Sequence, residues 1–279
     1  MPDYRTTTMQ ELLQNSKIPL EVLDTEDDLY HDMARLMFDE VARNNALGKP
    51  TVFIVPVGPV FQYRRFVRLA NLYGLDCSQV HLFNMDEYMT SAHELIDKSH
   101  PLSFRAWMDA ELYDKLQGVS QIPPANRHFP MPGREGDIEK EIARLGGVDI
   151  AFGGIGICGH IAFNEPPEDG DPISDEEFAN LPTRVLTLTR ETLTINSVTG
   201  MGGYIDGIPR WCITIGMREL LAARKLRFYL NRDWQRGIVR KICLGDVTKK
   251  TPASFLQKHP DAKLTISALV ASPPLGTIR

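Results

Sequence analysis

Two short segments carry side chains able to move protons. In Asn84-Met85-Asp86-Glu87-Tyr88, two carboxylates stand side by side behind an apolar run. Neighbouring side chains of an extended chain point to opposite sides. One carboxylate can therefore face a crevice while the other turns back to cap or pair. A crevice-facing carboxylate at a strand end suits proton abstraction, although an aspartate there equally suits a plain turn. The second segment, 153–166, reads GGIGICGHIAFNEP. His160 and Glu165, five apart on a loop, suit an acid/base pair in which the carboxylate fixes the tautomer. The competing reading is a loop histidine beside a solvated glutamate. Gly154, Gly156 and Gly159 spell GxGxxG, but that dinucleotide fingerprint needs a helix opening within it. Asn164-Glu165-Pro166-Pro167 breaks the chain instead. The alternative is a glycine-rich turn that lets a small substrate approach the backbone.

These segments need elements to hold them. Short β-branched runs predict strands at 51–55, 79–83, 148–152, 184–189, 211–215, 226–230 and 263–270. Helical spacing predicts helices at 27–45, 61–73, 106–116, 137–145, 217–224 and 233–242, with Thr25-x-x-Asp28 as an N-cap signature. This alternation implies one α/β domain of Rossmann-like type, with a mostly parallel central sheet flanked by helices. The expected division is an N-terminal extension at 1–26, the α/β domain at 27–273 and a tail at 274–279. Ligands of such sheets bind beyond the carboxyl ends of the strands, where both proton-moving segments lie. A third such segment, Pro56-Val57-Gly58-Pro59-Val60, leads into a helix and sits where a phosphate often binds. It has one glycine, two prolines and no hydroxyl residue, and proline supplies no N–H. It reads poorly as a phosphate cradle.

The chain has 279 residues, of which 43% are hydrophobic and 24% charged, values that exclude wholesale disorder. Its formal net charge of −5, with no basic block, argues against nucleic acid as a partner. No apolar run reaches the roughly 20 residues of a membrane helix, and residues 1–13 carry no signal-peptide pattern. The four cysteines, Cys77, Cys158, Cys212 and Cys243, include no CxxC pair, so no structural zinc site is expected. A cytoplasmic protein with reduced thiols is expected. Segment 166–182, rich in Asp, Glu and Pro, reads as a solvated surface loop, or as an acidic rim that repels anions.

FNMDEY (83–88) and GGIG–GHIAFNEP (153–166) together resemble the signature segments of the glucosamine-6-phosphate deaminase family. HPLSF (100–104) and LQKHP (256–260) match in position as well, and the resemblance runs from about residue 29 to 273. It implies the fold shared by those deaminases and 6-phosphogluconolactonases. It also implies a mechanism without metal or organic cofactor: ring opening, proton transfer between C2 and C1, and ammonia release from C2. Asp86 matches the proton-shuttling base, His160 the ring-opening group and Glu165 the carboxylate that orients it. Gly58, Glu87, Gly153, Gly154, Cys158 and Arg232 are expected to face the substrate.

The resemblance fails at four places. Cys158 stands where the family has an aspartate, and PVGPV is shorter than the family's phosphate loop and lacks its hydroxyls. Leu193 and Trp234 fall near the family's phosphate-binding arginine and lysine. Arg232, Arg190 or Arg64 could supply a replacement guanidinium. The expected function is an amino-sugar deaminase/isomerase acting on a sugar or sugar phosphate, with the substrate's phosphate end altered. The alternatives are a sugar-lactone hydrolase and a diverged, non-catalytic sugar-binding protein. Homo-oligomerisation is left open.

Overall fold

The computed structural model of the chain describes residues 4–58 and 61–274. Among the described residues, eleven strands form two sheets. The strands are β1 (Leu20–Leu23), β2 (Thr51–Val55), β3 (Val80–Asn84), β4 (Asp86–Ser91), β5 (Glu94–Leu95), β6 (Arg127–His128), β7 (Ile150–Gly153), β8 (Arg184–Thr187), β9 (Trp211–Thr214), β10 (Lys225–Leu230) and β11 (Ala262–Ser267). The main sheet has the order β1-β11-β10-β7-β2-β3-β6 and every pair in it is parallel.

Parallel strands must be covered on both faces, which is why TVFIV is apolar throughout rather than alternating. Val52 and Ile54 pack into one core layer, while Phe53 and Val55 pack into the other. Phe53 and Phe152 meet edge to face with centroids 5.3 Å apart. Each such buried ring contributes about 1.5–3 kcal/mol relative to exposure. The helix Glu26–Ala46 begins with the expected Thr25–Asp28 capping box. The helix Gln62–Tyr73 ends at Gly74 in the left-handed conformation, φ +60°.

Three expectations are corrected. The predicted boundary at residue 27 cuts into the folded unit. Leu20–Leu23 forms the edge strand β1 beside β11, and Leu12 and Ile18 are buried in the core. The segments at 184–189 and 211–215 do not join the parallel sheet. With β4 and β5 they form an antiparallel sheet of order β5-β4-β9-β8. Only Met85 separates β3 from β4, far fewer than the dozen or so residues a parallel crossover needs. The chain therefore changes sheets there: Met85 N–H donates to Val55 O of the main sheet, and Met85 O accepts from Ile215 N beside β9. A separate apolar cluster including Tyr88, Phe163, Leu188 and Cys212 lies under the small sheet. Finally, 166–182 is not a bare loop. It contains the capped helix Asp175–Ala179, buries Phe178, and pairs Asp169 with Lys250.

Candidate active site

Asp86 is the first residue of β4, opposite Thr214 of β9, and is almost fully buried. Burial raises its carboxyl pKa to about 7; the neighbouring Glu87 charge adds to the rise and His160 opposes it. Glu87 faces the other way and has no exposure. One of its oxygens accepts from Tyr88 N and Phe104 N, the other from Ser103 Oγ, Arg105 N and Arg105 Nε, all within 3.1 Å. Glu87 thus anchors the start of the helix Phe104–Met108, and the expectation that it faces substrate is corrected: both oxygens are spent inside the protein.

The glycine-rich turn after β7 closes on itself. Gly156 N donates to His160 O at 3.0 Å, and Gly159 N donates to Gly156 O at 2.9 Å. A Cβ on Gly156 would stand 1.9 Å from His160 Nε2, so the imidazole lies where that side chain would be. Ala162, φ +53°, is the one non-glycine among the described residues in the left-handed region. Such conformations cost roughly 1–3 kcal/mol and gather at functional turns. The surrounding structure holds this one. Phe163 N donates to Thr214 Oγ1 at 3.0 Å, and Asn164 Nδ2 donates to Ile161 O and Ile215 O. Gln235 Nε2 reaches Ile155 O at 2.8 Å.

The turn brings three predicted residues into contact. His160 Nδ1 lies 3.0 Å from Glu165 Oε2, and Cys158 Sγ lies 3.2 Å from the same nitrogen and 3.1 Å from the same oxygen. Burial disfavours the imidazolium, but Glu165 and Cys158 outweigh it and carry His160 up to about 10. Burial likewise raises Glu165, yet the imidazolium and its hydrogen bonds draw the carboxyl down to about 2. The other oxygen, Glu165 Oε1, is buried without a partner. The three donor atoms lie within 4.8 Å of one another, close enough to share a divalent cation, which would compete with the proton for Nδ1.

Sequence reasoning missed Thr192, fully buried with Oγ1 3.4 Å from His160 Nδ1 and 3.8 Å from Cys158 Sγ. Thr192 lies in the helix Arg190–Gly200, whose start is marked by Thr189 accepting from Thr192 N.

The remaining expected positions divide. Gly58 and Gly154 meet: a Cβ on Gly154 would be 3.7 Å from Gly58 O. Pro59 and Val60 lie outside the described residues. Gly153 answers a packing need instead, because a Cβ there would be 2.4 Å from the Phe228 ring and 3.2 Å from Met85 Cε. Arg232 is exposed, with its backbone N–H on Gln235 Oε1. Arg64 is held by Glu111, and Arg190 is exposed at the start of its helix.

No family model matches the chain. Solved structures share the fold. A monomeric glucosamine-6-phosphate deaminase superposes with a TM-score of 0.78 at 23% identity, covering 91% of this chain and 99% of that one. A 6-phosphogluconolactonase from Shewanella baltica superposes with a TM-score of 0.61 at 16% identity, covering 90% and 98%. The chain thus has the fold that these deaminases and 6-phosphogluconolactonases share. Among curated proteins, the glucosamine-6-phosphate deaminase of Halothermothrix orenii is 31% identical over 255 residues, 88% of this chain and 97% of the relative. That of Shewanella loihica is 32% identical over 217 residues, 77% and 75%. The chain belongs to the glucosamine-6-phosphate deaminase family.

Proposed function

We propose that this chain converts a 2-amino aldose to a ketose with release of ammonia. The observation that carries the reading is the placement of two buried groups: Asp86 at the start of β4, its carboxyl pushed up to about 7 by burial, and His160, held 3.0 Å from Glu165, which favours its protonated form. His160 gives its proton to the ring oxygen as the anomeric hydroxyl loses one, and C1 becomes an aldehyde. Ionised Asp86 takes the proton from C2. The C2–H electron pair forms a C1–C2 double bond as the aldehyde oxygen gains a proton. Asp86 then returns its proton to C1, leaving an alcohol at C1 and an imine at C2. Water adds at C2, ammonia leaves, and the ketone remains. Asp86, at about 7, is matched to proton transfer near neutral pH, and Glu165 keeps His160 in the protonated form that donates.

The same reading gives the substrate a changed far end. It is supported by PVGPV, Leu193 and Trp234, and by the buried, unpartnered Gln62 Oε1, Gln62 Nε2 and Trp234 Nε1. Neutral amide and indole groups suit a hydroxyl or amide better than a phosphate dianion. The test is a melting-temperature screen of amino sugars with and without a 6-phosphate, followed by ammonia assays on the stabilising compounds. Ammonia from an unphosphorylated or modified amino sugar is the expected result. Preference for the 6-phosphate would restore the family substrate. Lactone loss without ammonia would replace the reaction with hydrolysis, and binding without turnover would leave a sugar-binding protein.

A further inference from the structure

We propose that His81 Nδ1, His128 Nε2 and a carboxylate oxygen of Glu141 form a divalent transition-metal site, suited to Zn²⁺, that pins the edge strand β6 to β3 and to the helix Gly136–Arg144. His81 and Phe83 are two apart on β3 and so share one face, and His128 of β6 pairs in register with Phe83. The His128 ring stacks on Phe83 at 4.2 Å, and the two imidazoles are parallel within 9°. Their facing nitrogens share a hydrogen bond at 3.2 Å, so an ion entering between them would replace the shared proton. Two ligands on a tetrahedral zinc with bonds of about 2.0–2.1 Å stand roughly 3.3 Å apart. The rings therefore already hold nearly the spacing of one edge of the coordination tetrahedron.

Glu141 comes down on the pair from the helix, and the three donor atoms all lie within 4.8 Å of one another. Two imidazoles and one carboxylate are a borderline-soft set that favours Zn²⁺, Ni²⁺ or Co²⁺ over Mg²⁺ or Ca²⁺. A cleft of ≈ 560 Å³, lined by His128, Ile138, Lys140, Glu141 and Arg144 among others, opens over the cluster and gives an ion a way in. Arg144 holds both Glu141 oxygens, at 2.8 and 2.6 Å. Its side chain is 62% exposed, so it can swing into solvent when an ion arrives. β6 is only two residues long. A metal there would add a cross-link where the backbone ladder is shortest, so that binding energy becomes folding energy.

The test uses untagged full-length protein stripped with a chelator. Zn²⁺ is titrated against a chromophoric competitor, and the protein is melted with Zn²⁺ or Mg²⁺. One equivalent of Zn²⁺ should bind and raise the melting temperature, while Mg²⁺ should not. His128→Gln and the surface variant Glu141→Gln should each weaken Zn²⁺ binding by roughly 100-fold or more, since even outer partners of metal sites are worth about 10–100-fold. Arg144→Gln should tighten it by freeing Glu141. Co²⁺ should give a tetrahedral visible spectrum without a thiolate charge-transfer band, and Cys158→Ser should bind as wild type. Absence of Zn²⁺ binding would overturn the proposal. So would a thiolate band, or binding that survives His128→Gln and Glu141→Gln but is lost in Cys158→Ser, which would move the ion to the Cys158–His160–Glu165 cluster.

Discussion

Cys158 donates its thiol to Glu165 Oε2 at 3.1 Å, the same oxygen that holds His160 Nδ1. A neutral donor thus stands where an aspartate would add a second anion beside the imidazole. Replacing it by Asp should favour the imidazolium further. Cys158→Asp is expected to move the alkaline limb of the pH–rate profile upward from about 10. An unmoved limb would remove Cys158 from the surroundings that set His160.

Cys77, Cys212 and Cys243 are buried, and Cys158 alone of the four is partly open. Iodoacetamide on the native protein should label one thiol, Cys158, and inactivation should keep pace with labelling. Peptide mapping that places the label elsewhere would contradict the geometry.

Asp86 titrates at about 7 and His160 at about 10. The proposed reaction needs Asp86 ionised and His160 protonated. kcat/KM should therefore rise through about pH 7, hold a plateau, and fall through about pH 10, the two limbs belonging to the coupled set. Asp86→Asn should abolish solvent proton exchange at C2 while leaving ligand-induced stabilisation intact. The carboxyl's folded value lies above its ordinary value of 3.8, so the fold bears a penalty that grows as pH rises from 3.8 and is complete above about 7. The asparagine variant should therefore be more stable than wild type at pH 8, by up to about 4 kcal/mol. Equal stability there would contradict the raised value.

The His160–Glu165 pair has the opposite sign. His160 lies above its ordinary value of 6.5, so its contribution is full below 6.5 and lost as pH rises through about 10. Glu165 lies below 4.5, so its contribution is full above 4.5 and lost as pH falls through about 2. Their joint stabilisation is greatest between about pH 4.5 and 6.5. Glu165→Gln should cost about 3–5 kcal/mol in that window, the usual loss when one partner of a buried pair is removed. Denaturant melts across pH would show it, together with an alkaline activity limb displaced toward neutrality.

Gly156→Ala places a Cβ 1.9 Å from His160 Nε2. The ring must leave its position. Stability should fall by about 1–3 kcal/mol, and activity by about 100-fold. Near-normal kinetics would mean that the imidazole acts from another rotamer.

The residue pattern announces the main sheet because its strands are continuous apolar runs with both faces buried. It hides β1, since LEVL is half-buried and carries a glutamate mid-strand. It hides the helix Arg190–Gly200 as well, because RETLTINSVTG is rich in β-branched residues with no clear apolar stripe. Thr192 goes unread with it. Alternation along Asp86-Glu87 says that one carboxylate turns away, but only the distant Ser103–Arg105 donors identify it as Glu87. Likewise Gly153 resembles a ligand-facing glycine until Phe228, 75 positions along the chain, fills its empty side.

Met85 gives its N–H to one sheet and its carbonyl to the other. Thr214 of the small sheet both pairs with Asp86 and holds the Phe163 amide. Asp86 and the turn bearing Glu165 therefore share one anchor on the small sheet, while the same turn grows out of β7 of the main sheet and is tied there through Gln235 and Ala253. A change at Thr214 would reach both groups proposed to move protons at once.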